Sequence, residues 1–250
     1  MISVRVMPCL LLQGTRLVKT TQFRSPRYLG DPRNAVRIYN EKEVDELVIL
    51  DIEASRHGRP VQFDLIQEIV SEAFMPVAYG GGLRNIEDAR RMLQLGVEKV
   101  IFSTALTTDP DLIRRSSDEF GAQSVVACLD VRGGEIYTHS GTKPTGESAM
   151  NAAVRAEELG AGEILVNSID RDGKMEGYDL GLLRSVSEAV RVPVVACGGA
   201  GPVEHFKEAV EEGGASAVAA GSMFVYFGRL RGVLINYPEQ QELEAVLGKR

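Results

Sequence analysis

The sequence repeats itself once, and this repeat limits the possible folds more than any other feature. Four segments of the first half match four segments of the second half in the same order. The matched pairs begin at Met7 and Val126, Asp45 and Gly162, Pro76 and Pro193, and Gly96 and Gly214. Self-similarity at a fixed offset is typical of an architecture built from repeated units. It predicts two similar half-barrels, at about residues 1–120 and 121–250.

Short apolar runs recur along the chain, and each is four to nine residues long. Their nearly continuous apolar character is typical of strands buried on both faces of a parallel sheet. The eight runs are Val4–Leu12, Glu46–Ile52, Pro76–Tyr79, Lys99–Phe102, Val125–Asp130, Glu163–Asn167, Pro193–Ala196 and Ala217–Ala220.

Amphipathic stretches at helical spacing lie between these runs. In one of them Asn85 is a candidate N-cap, and Gly96 stands where the helix is expected to end. Eight strands alternating with about eight helices predict a (β/α)8 TIM barrel, which takes about 250 residues as one unit. A doubly wound open sheet is the alternative, but it would not need the internal symmetry. We therefore expect a single domain spanning residues 1–250.

Composition excludes several classes of function. The net charge of −7 and the pI of about 5.2 argue against nucleic acid as the main partner. The longest apolar runs are far shorter than the roughly 20 residues of a membrane helix, and the N-terminus does not resemble a signal peptide. Three cysteines without CxxC spacing indicate neither a disulfide framework nor a zinc site. We expect a cytoplasmic protein without a metal, a cofactor or a membrane partner.

Glycines and hydroxyl residues follow the predicted strands in pairs that the repeat relates. Gly80–Gly82 follows the third strand and Gly198-Gly199 the seventh, while Ser103-Thr104 follows the fourth and Gly221-Ser222 the eighth. Glycine lets the backbone approach an anion, and backbone N–H groups and hydroxyls donate hydrogen bonds to it. These loops could simply be tight turns. Two related pairs favour two phosphate sites and a long ligand with a phosphate at each end.

Several motifs resemble the cyclase subunit of imidazole glycerol phosphate synthase along essentially the whole chain. They include Pro8-Cys9-Leu10, Gly80-Gly81-Gly82, Ser168-Ile169-Asp170-Arg171-Asp172-Gly173, Gly177-Tyr178-Asp179 and Gly198-Gly199-Ala200-Gly201. The resemblance implies a barrel that works with a glutaminase subunit of the class I amidotransferase type, docked at the N-terminal face. Ammonia from the glutaminase would travel through the barrel to a phosphorylated substrate at the opposite face. The family reaction is a cyclase-lyase step of histidine biosynthesis.

The resemblance also implies the roles of individual residues. Phosphate- and substrate-binding residues would be Lys19, Gly82, Ser103, Thr104, Asp172, Gly173, Gly199, Gly221 and Ser222. Lys19 matches a flexible loop that closes on substrate in the family. Arg5, Glu46, Lys99 and Glu163 match the gate through which ammonia enters. A self-neutralising plug of salt bridges is the alternative interpretation of these four charges.

One departure from the family pattern bears directly on the chemistry. The family uses two aspartates, at the ends of the first and fifth strands, and this chain keeps Asp130 but has Leu11 at the other position. Losing one general acid–base group typically costs about 10² to 10⁴ in rate. The sequence thus leaves open whether the chain is an enzyme in its own right.

Three functions remain possible from the sequence. The first is suggested by leucine at position 11, a feature in which the chain resembles a cyclase-like branch of the family associated with surface-polysaccharide genes, such as O-antigen clusters. In that branch ammonia would pass through the barrel to a separate sugar amidotransferase. The second possibility is an authentic cyclase-lyase in which Asp130 suffices, or in which another group, with Asp172 nearest, replaces the missing acid. The third is a structural partner whose barrel holds a phosphorylated effector.

Overall fold

The computed structural model describes residues 4–228 and 230–248. Its strands are β1 Arg5–Gln13, β2 Arg16–Thr21, β3 Arg24–Gly30, β4 Leu47–Asp51, β5 Val77–Gly80, β6 Lys99–Phe102, β7 Val125–Arg132, β8 Glu135–Thr138, β9 Lys143–Ser148, β10 Glu163–Ser168, β11 Val194–Cys197, β12 Ala217–Ala220, β13 Tyr226–Phe227 and β14 Gly232–Val233. Its helices are α1 Pro32–Glu41, α2 Ala54–His57, α3 Phe63–Ser71, α4 Ile86–Gln94, α5 Thr104–Thr108, α6 Pro110–Phe120, α7 Ala149–Glu158, α8 Leu180–Ser187, α9 Glu204–Glu211, α10 Ser222–Val225 and α11 Gln240–Leu247.

Eight parallel strands close into a barrel in the order β1-β4-β5-β6-β7-β10-β11-β12, and β12 pairs with β1. Helices occupy the connections between them. All eight strand predictions are confirmed, and so is the (β/α)8 fold. The predicted N-cap is also confirmed, because the Asn85 side chain accepts a hydrogen bond from the backbone N–H of Asp88. None of the helices in the described part of the chain has the length and apolar character that crossing a bilayer requires.

The sequence did not predict three β-hairpins, β2–β3, β8–β9 and β13–β14. Strands β2 and β3 follow β1, and β8 and β9 follow β7, so these two hairpins occupy matching places in the two halves. Four of the seven residues of β3 are arginine, serine or proline, and most of the strand is exposed, so it lacks the apolar run that marks a buried strand. The expectation that Lys19 lies in a flexible loop is wrong. Lys19 lies in β2, which pairs with both β1 and β3, and its side chain is buried against Asp172.

Side chains from alternate strands fill the barrel in layers, as the strand registers require. A lower layer consists of Met7, Ala78, Val126 and Val195, and the next of Val48, Ile101, Leu165 and Ala219. Above them lie three buried thiols and one glycine, from Cys9, Cys128, Cys197 and Gly80. The interior is therefore apolar between the two ends of the barrel. A second apolar cluster fills the space between the barrel and its helices.

Candidate functional site

A cavity opens at the carboxyl ends of the barrel strands. Its volume, including space open to solvent, is about 1180 Å³. All the residues predicted for the mouth line it, together with the departure from the family pattern: Leu11, Lys19, Gly82, Ser103, Thr104, Asp130, Asp172, Gly173, Gly199, Gly221 and Ser222. The barrel brings these residues together because the carboxyl ends of all its parallel strands meet at one face.

Asp130, near the end of β7, is one of three buried carboxylates that line this cavity, together with Asp51 and Asp172. Ser103 Oγ donates to its Oδ2 at 3.2 Å, and Asn167 Nδ2 donates to its Oδ1 at 3.2 Å. Burial raises the pKa of Asp130 to about 6, because desolvation of the charged form outweighs these hydrogen bonds. An acid with a pKa near neutrality can exchange protons at physiological pH, which suits general acid–base work.

Leu11 occupies the matching place in the first half-barrel. It pairs with Val18 of β2, as Asp130 pairs with Tyr137 of β8. Both side chains line the same cavity, so a carboxylate at position 11 would face it as Asp130 does. Leucine supplies apolar surface there and cannot transfer a proton.

Lys19 and Asp172 form a buried ion pair on the cavity wall. Lys19 Nζ lies 3.0 Å from Asp172 Oδ1, and Thr20 Oγ1 donates to Asp172 Oδ2 at 2.9 Å. Burial by itself would lower the pKa of Lys19, but the neighbouring Asp172 carboxylate reverses this effect and the pKa is raised. The backbone N–H of Phe23 also donates to Asp172 Oδ2, at 3.4 Å. The Asp172 carboxylate is thus held by three donors, which makes it a poor substitute for a free general acid.

The glycines at the strand ends meet strict steric demands. Gly199 has a φ of +122°, and a Cβ there would lie 2.2 Å from the carbonyl oxygen of Gly177. Gly81 has a φ of +120°, and a Cβ there would lie 2.5 Å from the carbonyl oxygen of Asp51. The tight-turn interpretation is therefore sufficient to explain these glycines. They leave open backbone at the cavity edge, which is also what an anion site needs.

Ser222 provides stronger evidence for a ligand site than the glycines do. It lies at the start of α10, lines the cavity and is buried, and its Oγ has no hydrogen-bond partner among the described residues. A buried hydroxyl without a partner is costly, so a ligand oxygen that accepts from it would satisfy it.

The Ser222→Ala substitution separates ligand binding from stability. We expect the free energy of unfolding to change by less than about 0.5 kcal/mol, because no hydrogen bond is lost. Affinity for a phosphorylated ligand, measured by calorimetry with inorganic phosphate as the probe, should fall. The Ser116→Ala variant is the control, because Ser116 also has an unpartnered buried hydroxyl but lies on α6 and does not line the cavity. Equal phosphate affinity in both variants would contradict a role for Ser222.

At the opposite end of the barrel, four charged residues form a closed ring. Lys99 Nζ lies 2.8 Å from Glu46 Oε2 and 3.0 Å from Glu163 Oε2, and Arg5 pairs with the same two glutamates. Both glutamates are buried, and the charges of Lys99 and Arg5 balance the two carboxylate charges. Arg5, Lys99 and Glu163 begin β1, β6 and β10, and Glu46 directly precedes β4. Either a gate or a plug is compatible with this geometry.

Sequence reasoning missed Asn167, a buried residue of β10 that donates to Asp130 and lines the cavity. The repeat holds the signal that could have found it, because Asn167 stands where the first half has Leu50. A polar residue at the end of a strand that is otherwise apolar marks a cavity-facing position.

These features define a (β/α)8 barrel with its candidate site at the carboxyl ends of the strands, the end where such barrels place their active sites. The chain belongs to the histidine biosynthesis protein family, whose sequence profile matches residues 5–231.

Three relatives illustrate the relation. A Pseudomonas aeruginosa protein named "Putative imidazole glycerol phosphate synthase subunit hisF2" is 48% identical, over 98% of this chain and 99% of its own. A Leptospira interrogans protein named as subunit HisF is 47% identical, with 98% and 99% covered. A Vibrio vulnificus protein named as subunit hisF3 is 43% identical, with 99% and 97% covered. The resemblance to this synthase subunit is confirmed, and the chain is a divergent HisF-type barrel.

Proposed function

We propose that this barrel pairs with a glutaminase subunit and conducts ammonia to a separate sugar amidotransferase that modifies a surface polysaccharide, in the cytoplasm. Its own cyclase chemistry is impaired by Leu11. One observation supports this most directly: the charge ring at one end is complete, while the acid–base pair at the other end has lost a member. A barrel that had lost its function altogether would have no reason to keep four paired charges at its entrance.

The ring suits an entrance for ammonia. Buried charges are costly unless paired, and two cations matched to two carboxylates keep the entrance neutral overall. Movement of Lys99 or Arg5 would open the ring without leaving both glutamates unpaired, because each cation contacts both. These contacts support a gate beneath a docked glutaminase.

The apolar interior of the barrel is compatible with passage of ammonia. Between the ring and the cavity lie Met7, Val126, Leu165 and other apolar side chains. An ammonium ion would lose its hydration there without compensation, whereas neutral ammonia loses far less. The interior therefore favours passage of the neutral molecule, which is the nucleophilic form.

The mouth supports binding of a phosphorylated small molecule. Ser103 with Gly82 in one half, and Ser222 with Gly199 in the other, lie on the wall of one cavity. We propose these pairs, with Thr104, Gly173 and Gly221, as two phosphate sites, and Lys19 as a further cationic contact. A phosphorylated ligand could bind at this mouth even if the chain does not turn it over as a cyclase.

Lys99→Ala in the complex with the glutaminase tests the gate. We expect glutamine-dependent amidation of the sugar to fall by about tenfold or more, because the ring loses one of its two cations. Amidation driven by free ammonium should stay unchanged. Both rates are measured on the same preparations, with Lys143→Ala, on the exposed hairpin strand β9, as the matched control. If Lys99→Ala leaves the glutamine-dependent rate at the wild-type value, the ring is a plug and no gate.

An authentic cyclase-lyase is the second candidate function. The pKa of about 6 for Asp130 favours it, because a single well-tuned group could retain part of the proton transfer. The purified chain with the bisphosphate ribonucleotide substrate and ammonium at high pH decides between the two. Turnover at rates typical of enzymes, on the order of 1 s⁻¹ or faster, would establish the cyclase and exclude the impaired state.

A further inference from the structure

Five large apolar side chains lie exposed on two neighbouring hairpins. They are Tyr28 on β3 and Phe227, Leu230, Val233 and Leu234 in or beside the β13–β14 hairpin. Leu230 is 94% exposed and Phe227 67% exposed. We call these five residues the mouth-rim patch. Single exposed apolar residues are common, but a grouped set indicates an interaction site. Val233 pairs with Tyr226 and Phe227 pairs with Gly232, so Phe227 and Val233 project from opposite faces of the β13–β14 hairpin, and both of its faces carry exposed apolar side chains.

Direct contacts join the two hairpins into one surface. The Arg27 guanidinium lies over the ring of Tyr226, 5.4 Å from its centroid, and Arg27 Nη1 donates to the carbonyl oxygen of Arg231 at 3.3 Å. The patch is therefore shared between the element after β1 and the element after β12, which are neighbouring strands of the barrel.

The patch borders the cavity. Arg231 donates from Nη1 to the carbonyl oxygen of Gly173 at 3.2 Å and from Nη2 to that of Lys174 at 3.3 Å. Gly173 and Phe23, which stands in the turn between β2 and β3, both line the cavity. A protein docked on the patch would consequently also cover part of the mouth.

Charge around the patch is opposite to that of the whole chain. Neither the segment 14–30 nor the segment 222–237 contains an aspartate or a glutamate, and together they contain five arginines. The one lysine of these segments, Lys19, is buried and its charge is balanced by Asp172, so it does not contribute to this surface. The chain as a whole has a net charge of −7. Arg16, Arg24 and Arg27 are exposed. A complementary partner would have an apolar centre and an acidic rim.

We propose that the mouth-rim patch is the docking surface for the enzyme that accepts the ammonia. This inference rests on the proposed function and adds the site of hand-over. Ammonia that reaches the mouth is lost to water unless the acceptor covers it, and the patch is placed so that its partner does so. An anionic membrane could also match a basic and apolar surface, but it would cover the mouth without supplying an acceptor.

The test uses the purified chain, a glutaminase subunit and a sugar amidotransferase from the same organism. Phe227→Glu combined with Leu230→Glu puts two negative charges into the patch. We expect the dissociation constant for the amidotransferase to rise at least about tenfold, and Arg24→Glu to raise it as well. The dissociation constant for the glutaminase, which docks at the other end, should not change. Met150→Glu, at an exposed apolar position on α7, is the matched control and should leave both constants unchanged.

Four outcomes overturn the docking proposal. They are no binding of the amidotransferase to the wild-type chain, equal binding to the double variant, a homodimer of the chain that the double variant dissociates, and sedimentation with phosphatidylglycerol vesicles that only the wild type shows. Failure of the proposed function looks different. In that case the amidotransferase uses free ammonium but never glutamine, whatever the chain and the glutaminase contribute.

Discussion

Leu11→Asp is expected to raise ammonium-dependent cyclase turnover by about 10² to 10⁴ over the wild-type chain, the factor that one general acid–base group typically contributes. The new carboxylate would face the same cavity as Asp130, at the matching place in the other half-barrel. The rate is measured with the bisphosphate ribonucleotide substrate and ammonium, at a pH high enough to supply neutral ammonia.

Leu11→Asn is the matched control for this gain. Asparagine has nearly the size of aspartate but cannot transfer a proton, so it should stay at the wild-type rate. A gain confined to the aspartate variant would place the whole impairment at position 11. If the two variants are equally slow, the mouth differs from that of an active cyclase at more than one residue. The proposed phosphate-binding residues would then be the next positions to substitute.

Asp130→Asn is expected to stabilise the protein at neutral pH by up to about 3 kcal/mol, the free-energy equivalent of raising the pKa of Asp130 from 3.8 to about 6. Below the unfolded pKa the carboxyl is protonated in both states, so the variant and the wild type should have similar stability. As the pH rises towards 6, the unfolded chain gives up this proton more readily than the folded protein, and the wild type loses stability relative to the variant. Above about pH 6 the difference is constant.

Urea unfolding at pH 4.5, 6 and 8 measures this difference directly. Asp118→Asn, on the exposed side of α6, serves as the control and should show little change over the same range. A constant difference between Asp130→Asn and the wild type at all three pH values would mean that the carboxyl is not desolvated in the folded protein. A functional site often costs stability in this way, because a buried group is kept ready for its chemistry at the expense of the fold.

The two predictions use the same asymmetry of the mouth. One half-barrel presents a desolvated acid that accepts from Ser103, Asn167 and the Cys128 thiol, and the other presents a leucine. Restoring the second acid tests whether the rest of the mouth is competent, and removing the first tests how much the remaining acid costs the fold. Neither result depends on the proposed role in polysaccharide amidation. The two variants therefore test the chemistry of the mouth without knowledge of the molecule that accepts the ammonia.

The sequence by itself determined the barrel. Its internal repeat and its eight apolar runs depend on side-chain character read in order along the chain, and a parallel strand buried on both faces leaves that signal directly. The same repeat aligned Leu11 with Asp130, and matched strand ends predicted which residues would share the mouth.

Only the tertiary structure decided how those residues are held. Lys19 lies on a strand because β3, whose exposed sequence carries no apolar run, pairs with the edge of β2, and its side chain is buried against Asp172. Its partner Asp172 lies 153 positions further along the chain, and Asn167 reaches Asp130 from the next barrel strand. Burial, ion pairing and the raised pKa of Asp130 come from contacts between segments distant in sequence. Periodicity along the chain contains no information about which of these segments meet, or about how much water they exclude.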